Sequence, residues 1–246
     1  MLAGVTRIAI ITNPEHINSY KKLLGNGLSL GLTIDYVIQE NPTGIPDSLL
    51  LVPNEYKSDC VMLVLGDNFI YGMGLGSSLK SMYDGKGAMV FGYQVNNPHE
   101  YGVVSFDESG KVLDLEEKPK NPKSNFAIPG IYFLDNNCYE FASKLKPSHR
   151  GETEITDLLK CYMENGNLRV KTLARGTAWL DTGTFDNLLA ASEFVKTIEI
   201  RQGLKIGCIE EIALREGLIT KEQFELLIKQ IPECEYSNYL KNLNVK

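Results

Sequence analysis

The chain has 246 residues, which suits one α/β domain, or one domain with a helical appendage. A net charge of −6 gives no basic face for sequence-independent nucleic-acid binding, and no apolar run approaches the roughly 18 residues needed to span a bilayer. The five cysteines are widely spread with no C-x-x-C pair, which excludes a disulfide framework or a zinc knuckle and fits a reducing cytoplasm.

Met1 to Arg7 carries no basic stretch followed by an apolar core, so no signal peptide is expected. Thr6–Thr12 is a β-branched apolar run that predicts a strand, ended by the turn signal Asn13-Pro14. His16–Leu24 reads as a helix and Thr33–Gln39 as a second strand. A helix follows from about Pro46 to Leu51, with the proline in the first turn where its missing N–H costs nothing. Cys60–Leu65 is a continuous apolar run, the pattern of a central parallel strand buried on both faces. Gly74–Tyr83 reads as helix and Ala88–Val95 as strand, completing an alternation that predicts a parallel sheet covered by helices. Short strands at Gly102–Asp107, Val112–Lys118 and Gly130–Leu134 then form a β insertion, with a hairpin turn at Ser109-Gly110. Helix Glu154–Asn165, strand Leu168–Leu173 and strand Thr177–Asp181 follow. From Thr184 the chain turns helical, as Thr184–Ile200, Ile209–Glu216, Lys221–Lys229 and Tyr236–Leu243. The expected division is residues 1–200 as the main domain and 201–246 as a helical segment packed on it.

Four motifs offer chemistry. In LGDN, Leu65–Asn68, an aspartate follows a buried strand, where open α/β sheets bind ligands. In EEKP, Glu116–Pro119, Glu117 would accept hydroxyl hydrogen bonds and Lys118 would neutralise a phosphate. In WLDTGT, Trp179–Thr184, a second aspartate appears, and Asp67 and Asp181 would share one Mg²⁺ with phosphate oxygens completing its shell. Gln39 carries a donor and an acceptor for a pyrimidine edge, and Gly44 would let backbone approach a flat ring. Each has a plain alternative: a turn or helix cap at Asp67, a solvated charge pair at Glu117-Lys118, a helix N-cap at Asp181-Thr182, an ordinary loop at Gln39 and Gly44.

Their order and spacing carry more than any one of them. LGDNFIYG, PHEYGVVSFDESGKVLDLEEKPKNPKSNFAIPGIYF, GETEITD, GTAWLDTGTFDNLLAAS and RQGLKIGCIEEIALREG together resemble the glucose-1-phosphate thymidylyltransferase family, from Ala3 to about Tyr239. The resemblance implies an α/β fold with a Rossmann-like, mostly parallel sheet of the nucleotide-diphospho-sugar transferase type. It implies transfer of a thymidylyl group from dTTP to glucose 1-phosphate, with Mg²⁺ as cofactor, in a cytoplasmic homotetramer that uses neither nucleic acid nor membrane and feeds deoxysugar and polysaccharide synthesis. Gln39 and Gly44 would contact thymine, and Asp67 and Asp181 the Mg²⁺. Gly102, Glu117 and the backbone near Ile128 would hold the sugar. Lys118 and Arg150 would contact its phosphate beside Tyr132, and Tyr71, Gly72 and Arg175 resemble a regulatory nucleotide site.

The family opens with a strand and a G-G-x-G-T-R loop that cradles the triphosphate, and neither is found in this sequence: TRIAIITNPEH has a proline where glycines are wanted. The expectation is a truncated form with impaired transfer, whose sheet leaves the neighbours of the missing strand with open edges. The competing expectations are a non-catalytic sugar-phosphate or nucleotide-sugar binding homologue and an inactive fragment. In the base loop, Glu40, Thr43, Pro46 and Ser48 also depart from the family pattern.

Overall fold

The computed structural model describes residues 1–243. In chain order the elements are β1 (Arg7–Thr12), α1 (Ile17–Leu24), β2 (Thr33–Ile38), α2 (Ile45–Leu51), β3 (Val61–Val64), β4 (Asn68–Tyr71), α3 (Leu75–Met82) and β5 (Ala88–Gln94). Then come β6 (Gly102–Phe106), β7 (Val112–Glu117), β8 (Phe126–Ala127), β9 (Ile131–Leu134), α4 (Asn137–Lys144), α5 (Ile155–Glu164) and β10 (Leu168–Thr172). The chain finishes with β11 (Ala178–Asp181), α6 (Phe185–Gln202), α7 (Ile209–Arg215), α8 (Lys221–Gln230) and α9 (Glu235–Lys241). The strands and helices alternate as the apolar runs predict, with ends shifted by a residue or two.

Two compact units divide the chain elsewhere than at residue 200. The first comprises Met1–Ile38, Gly76–Lys80 and the chain from Leu188 onward. In it β1 and β2 pair in parallel, from Arg7 opposite Thr33 to Thr12 opposite Ile38. Leu30, Leu32 and Ile34 pack with Cys208, Ala213, Phe224, Ile228 and Leu240 of the C-terminal helices into one apolar core. Helix α8 starts in a capping box, in which Thr220 and Gln223 satisfy each other's backbone N–H groups.

The second unit, Gln39–Leu75 and Ser81–Asn187, carries every residue singled out for chemistry. Its main sheet runs β3-β9-β5-β8-β6-β7, with β10 also paired to β5, and β4 and β11 form a separate antiparallel pair. Strands β5 and β10 are parallel, while β9 runs antiparallel between β3 and β5. The sheet is therefore mixed within an α/β fold.

The apolar run at 60–65 is not a central strand. β3 pairs only with β9, its four residues are half-buried or exposed, and Val64 is 48% exposed. An apolar run reports that both faces avoid water, but not which neighbours fill them. The central strand is β5, where Ala88, Met89 and Val90 are buried between β9 and β10 and Phe91 is buried beside β10. Among the described residues β3 is paired on one side, by β9, and β1–β2 forms a two-stranded sheet. Strands β4 and β8 and helix α4 escape a reading by apolar pattern. The two strands are four and two residues long, and α4 has a mixed sequence, NCYEFASK.

Candidate active site

Strand β3 delivers Gly66-Asp67, and β4 begins at the next residue, Asn68. The pairing of β4 with β11 sets Asn68 opposite Asp181. The turn after β11 clamps back onto this point: the backbone N–H and the hydroxyl of Thr182 both donate to the Asp67 carbonyl at 2.8 Å. Asp181 Oδ1 accepts the Gly183 N–H at 2.9 Å. A Cβ placed on Gly183 would lie 3.1 Å from Asp181 Oδ1 and 3.7 Å from Asp67 Oδ2. The two carboxylates thus face one small space that stays open because residue 183 has no side chain. Two carboxylate oxygens around such a space suit a hard divalent cation whose remaining ligands are phosphate oxygens and water. No cluster of three or more His, Cys, Asp or Glu ligands exists among the described residues.

The EEKP segment builds the other side. Glu117 ends β7 opposite Gly102 of β6, and Gly102 is where a side chain would press on Glu117 Oε2 at 3.3 Å and the Thr156 methyl at 3.1 Å. Glu117 Oε2 and Thr156 Oγ1 are buried and lack a well-formed hydrogen bond, although the Thr156 hydroxyl lies close enough to Glu117 to draw its pKa down somewhat. Burial, then the neighbouring Glu154 carboxylate, raises the Glu117 pKa above its ordinary 4.5. Arg150 Nη1 stands 3.5 Å from Glu154 Oε1 and 3.9 Å from Glu117 Oε1. Glu154 is buried and is itself held by the Ser148 hydroxyl at 2.8 Å. Tyr132, buried in β9, has its hydroxyl pKa pushed up by burial first and then by the charges of Glu117 and Asp67.

Lys118 is the only non-glycine residue with positive φ among the described residues, at φ 42°. Its N–H donates to the Tyr101 carbonyl at 3.0 Å, and Pro119 follows. A side-chain-bearing residue pays roughly 1–2 kcal/mol to sit in this region, and such strain gathers at ligand sites. Ile128 is buried, and its N–H already donates to the Gly102 carbonyl at 2.8 Å, so that N–H is not free for a sugar.

Gln39 and Gly44 lie together, with the Gln39 amide donating to the Gly44 carbonyl at 3.3 Å. Gly44 has φ 120°, and a Cβ there would come within 2.2 Å of the Thr153 carbonyl oxygen. The close approach that needs a glycine at 44 is therefore to the backbone of Thr153, which also bonds to Thr43. Tyr71 pairs with Ala178 at the end of β4–β11 away from Asp181, and a Cβ on Gly72 would meet the Thr177 hydroxyl at 3.0 Å. Arg175 is exposed in the turn just before. Tyr71 and Gly72 lie at the end of the β4–β11 pair away from the acids, roughly 10 Å along the strand.

Sequence reasoning passed over Asn68, Trp179, Gly183, Glu154 and Thr156 as working residues. Each sits inside or beside a motif already read, and for Asn68 and Trp179 the deciding partner is distant in the chain. Trp179 stacks between Tyr93 and Tyr101, with ring centroids at 5.5 and 5.0 Å, and its indole N–H donates to Asn68 Oδ1 at 2.7 Å.

The mixed α/β fold thus brings two carboxylates together and sets a buried glutamate beside an arginine. The nucleotidyl transferase family pattern matches residues 1–198. A glucose-1-phosphate thymidylyltransferase of Mycolicibacterium smegmatis is 48% identical over 243 residues, covering 99% of this chain and 84% of that one. That of Mycobacterium tuberculosis is 49% identical over the same shares. A solved Bacillus anthracis structure, named for a glucose-1-phosphate thymidylyltransferase and complexed with sucrose, is 33% identical with a TM-score of 0.69, covering 77% of this chain and 76% of its own. A UDP-glucose pyrophosphorylase structure at 23% identity and TM-score 0.67 shares the fold. The chain belongs to the nucleotidyl transferase family, on its glucose-1-phosphate thymidylyltransferase branch.

Proposed function

We propose that the protein transfers a thymidylyl group from dTTP to glucose 1-phosphate, giving dTDP-glucose and pyrophosphate. The observation that carries this reading is the meeting of Asp67 and Asp181 across the space above Gly183. A phosphate oxygen of glucose 1-phosphate attacks the α-phosphorus of dTTP, and the bond to pyrophosphate breaks. No covalent enzyme intermediate is needed, so the protein's work is to bring two anions together and hold them in line. Asp67 and Asp181 would hold Mg²⁺, which when bound would neutralise charge on the phosphate oxygens.

Lys118 and Arg150 meet the sugar phosphate, the first as a point charge and the second as a fixed fork. Glu117 accepts sugar hydroxyls, and a hydroxyl reaching Glu117 Oε2 and Thr156 Oγ1 would satisfy both buried atoms. Gly102, Tyr132 and the backbone near Ile128 shape the sugar niche. Gln39 turns from the Gly44 carbonyl to the thymine edge, and Tyr71, Gly72 and Arg175 form a second nucleotide site. The working form is a cytoplasmic homotetramer feeding deoxysugar and polysaccharide synthesis. Among the described residues no helix is long and apolar enough to cross a membrane.

The test is Mg²⁺-dependent pyrophosphate release from dTTP and glucose 1-phosphate. The expected result is dTDP-glucose formation that exceeds that from UTP or CTP. Asp181→Asn should cut turnover about a hundredfold or more while glucose 1-phosphate still binds. Turnover that survives chelation of the metal, or that Asp181→Asn leaves intact, overturns the reading.

A further inference from the structure

Asn68 stands at the crossing of three segments. Its Oδ1 accepts the Gly130 N–H at 2.9 Å and the Trp179 indole N–H at 2.7 Å. Its Nδ2 donates to Asp67 Oδ1 at 2.8 Å. A backbone N–H and an indole N–H are donors and nothing else. The amide oxygen must therefore face them, and the amide NH₂ must face the carboxylate. The orientation of this side chain is set by its partners, with no freedom to flip.

The consequence falls on Asp67. One of its oxygens, Oδ1, is engaged by Asn68. The other, Oδ2, is the one that looks onto the space above Gly183, where Asp181 Oδ1 also points. Asp67 is exposed and would otherwise rotate among several positions. We infer that Asn68 is a positioning residue: it fixes which oxygen Asp67 offers to the divalent cation and couples that oxygen to the protein's single tryptophan, Trp179. This rests on reading Asp67 and Asp181 as the cation site. Trp179 in turn packs on Tyr101, whose carbonyl holds the strained Lys118 backbone. A continuous set of contacts thus joins the cation oxygens to the phosphate-facing lysine.

Two measurements test it on the full chain. Mn²⁺ alone is titrated with detection by electron paramagnetic resonance, in the unsubstituted protein, Asn68→Ala, Asp67→Asn and Asp181→Asn. Loss of a partner that orients a metal ligand typically weakens binding about 10- to 100-fold, and Asn68→Ala should fall in that range. Mg²⁺ alone is then titrated while Trp179 emission is followed. The unsubstituted protein should show a saturable shift in emission that Asp67→Asn abolishes, and Asn68→Ala at saturating Mg²⁺ should show none. Mn²⁺ affinity of Asn68→Ala within about twofold of the unsubstituted protein overturns the inference, as does an emission shift that persists in that variant. Should Asn68→Ala fail to fold, the unsubstituted protein decides: bound Mn²⁺ with no Mg²⁺-induced emission shift overturns the coupling. Mn²⁺ binding that is indifferent to both Asp67→Asn and Asp181→Asn is a different failure, because it removes the cation site itself and the inference with it.

Discussion

At the Asp67–Asp181 end, the acceptors already have donors: Asn68 on one carboxylate, the Gly183 N–H on the other, and Thr182 on the backbone between them. At the Glu117 end, two buried oxygens lack a well-formed hydrogen bond, a carboxylate pKa is raised by burial, and Lys118 is held at positive φ. Both ends lie in one compact unit and both face charged groups, yet one is satisfied and the other is in deficit. A cation needs oxygens held still before it arrives: Asn68 bonds the Asp67 oxygen turned away from the shared space, and the Gly183 N–H bonds the Asp181 oxygen beside it. A sugar hydroxyl brings its own donor and acceptor, so unmet buried atoms are what it rewards. The difference teaches that a satisfied network and an unsatisfied one can serve the same reaction.

The largest expected effect breaks the cation end without touching a ligand. Gly183→Ala puts a methyl into the space shared by Asp67 Oδ2 and Asp181 Oδ1. Mn²⁺ affinity should fall about tenfold or more, with thermal unfolding little changed, because the glycine's φ is not in the left-handed region. Affinity equal to that of the unsubstituted protein would mean the space is not where the ion sits.

The next effect sharpens the deficit at the sugar end. Glu117→Gln should weaken glucose 1-phosphate binding about tenfold, the worth of one hydrogen bond to a charged acceptor. It should also change the pH dependence of stability. The Glu117 pKa is raised in the folded state, so in the window from 4.5 up to that raised value the folded protein holds more protons than the unfolded chain. Stability therefore falls as pH rises through this window, and Glu117→Gln should remove that fall. Denaturant titrations across the acidic range, with calorimetry for the sugar phosphate, check both halves.

The smallest effect separates strain from use. Lys118→Gly relieves a left-handed residue and should stabilise the fold by about 1 kcal/mol. It should also weaken glucose 1-phosphate binding through loss of the positive charge. A variant that gains stability and keeps its affinity would show that Lys118 is strained for some reason other than phosphate.

Much of this protein was legible as a string. The alternation of apolar β-branched runs with helical stretches gave most elements, and the Ser109-Gly110 turn forms, with Asp107 capping it from its side chain. The pairs Gln39 with Gly44 and Asp67 with Asp181 do come together. The family follows from collinear motifs, because side-chain chemistry at fixed spacing is written in one dimension.

Other features are decided only by distance across the fold. The run at 60–65 has a central strand's composition and an edge strand's place, because pairing depends on where β9 inserts. Gly44 reads as a ligand-facing glycine but is required by the backbone of Thr153, 109 residues away in number and touching in space. Asn68 reads as the last letter of a motif, yet its work comes from Gly130 and Trp179. Composition and periodicity determine which segments must leave water and what local geometry they adopt. Which donor finds which acceptor is set by three-dimensional packing, since a hydrogen bond is satisfied within about 3 Å whatever the separation along the chain.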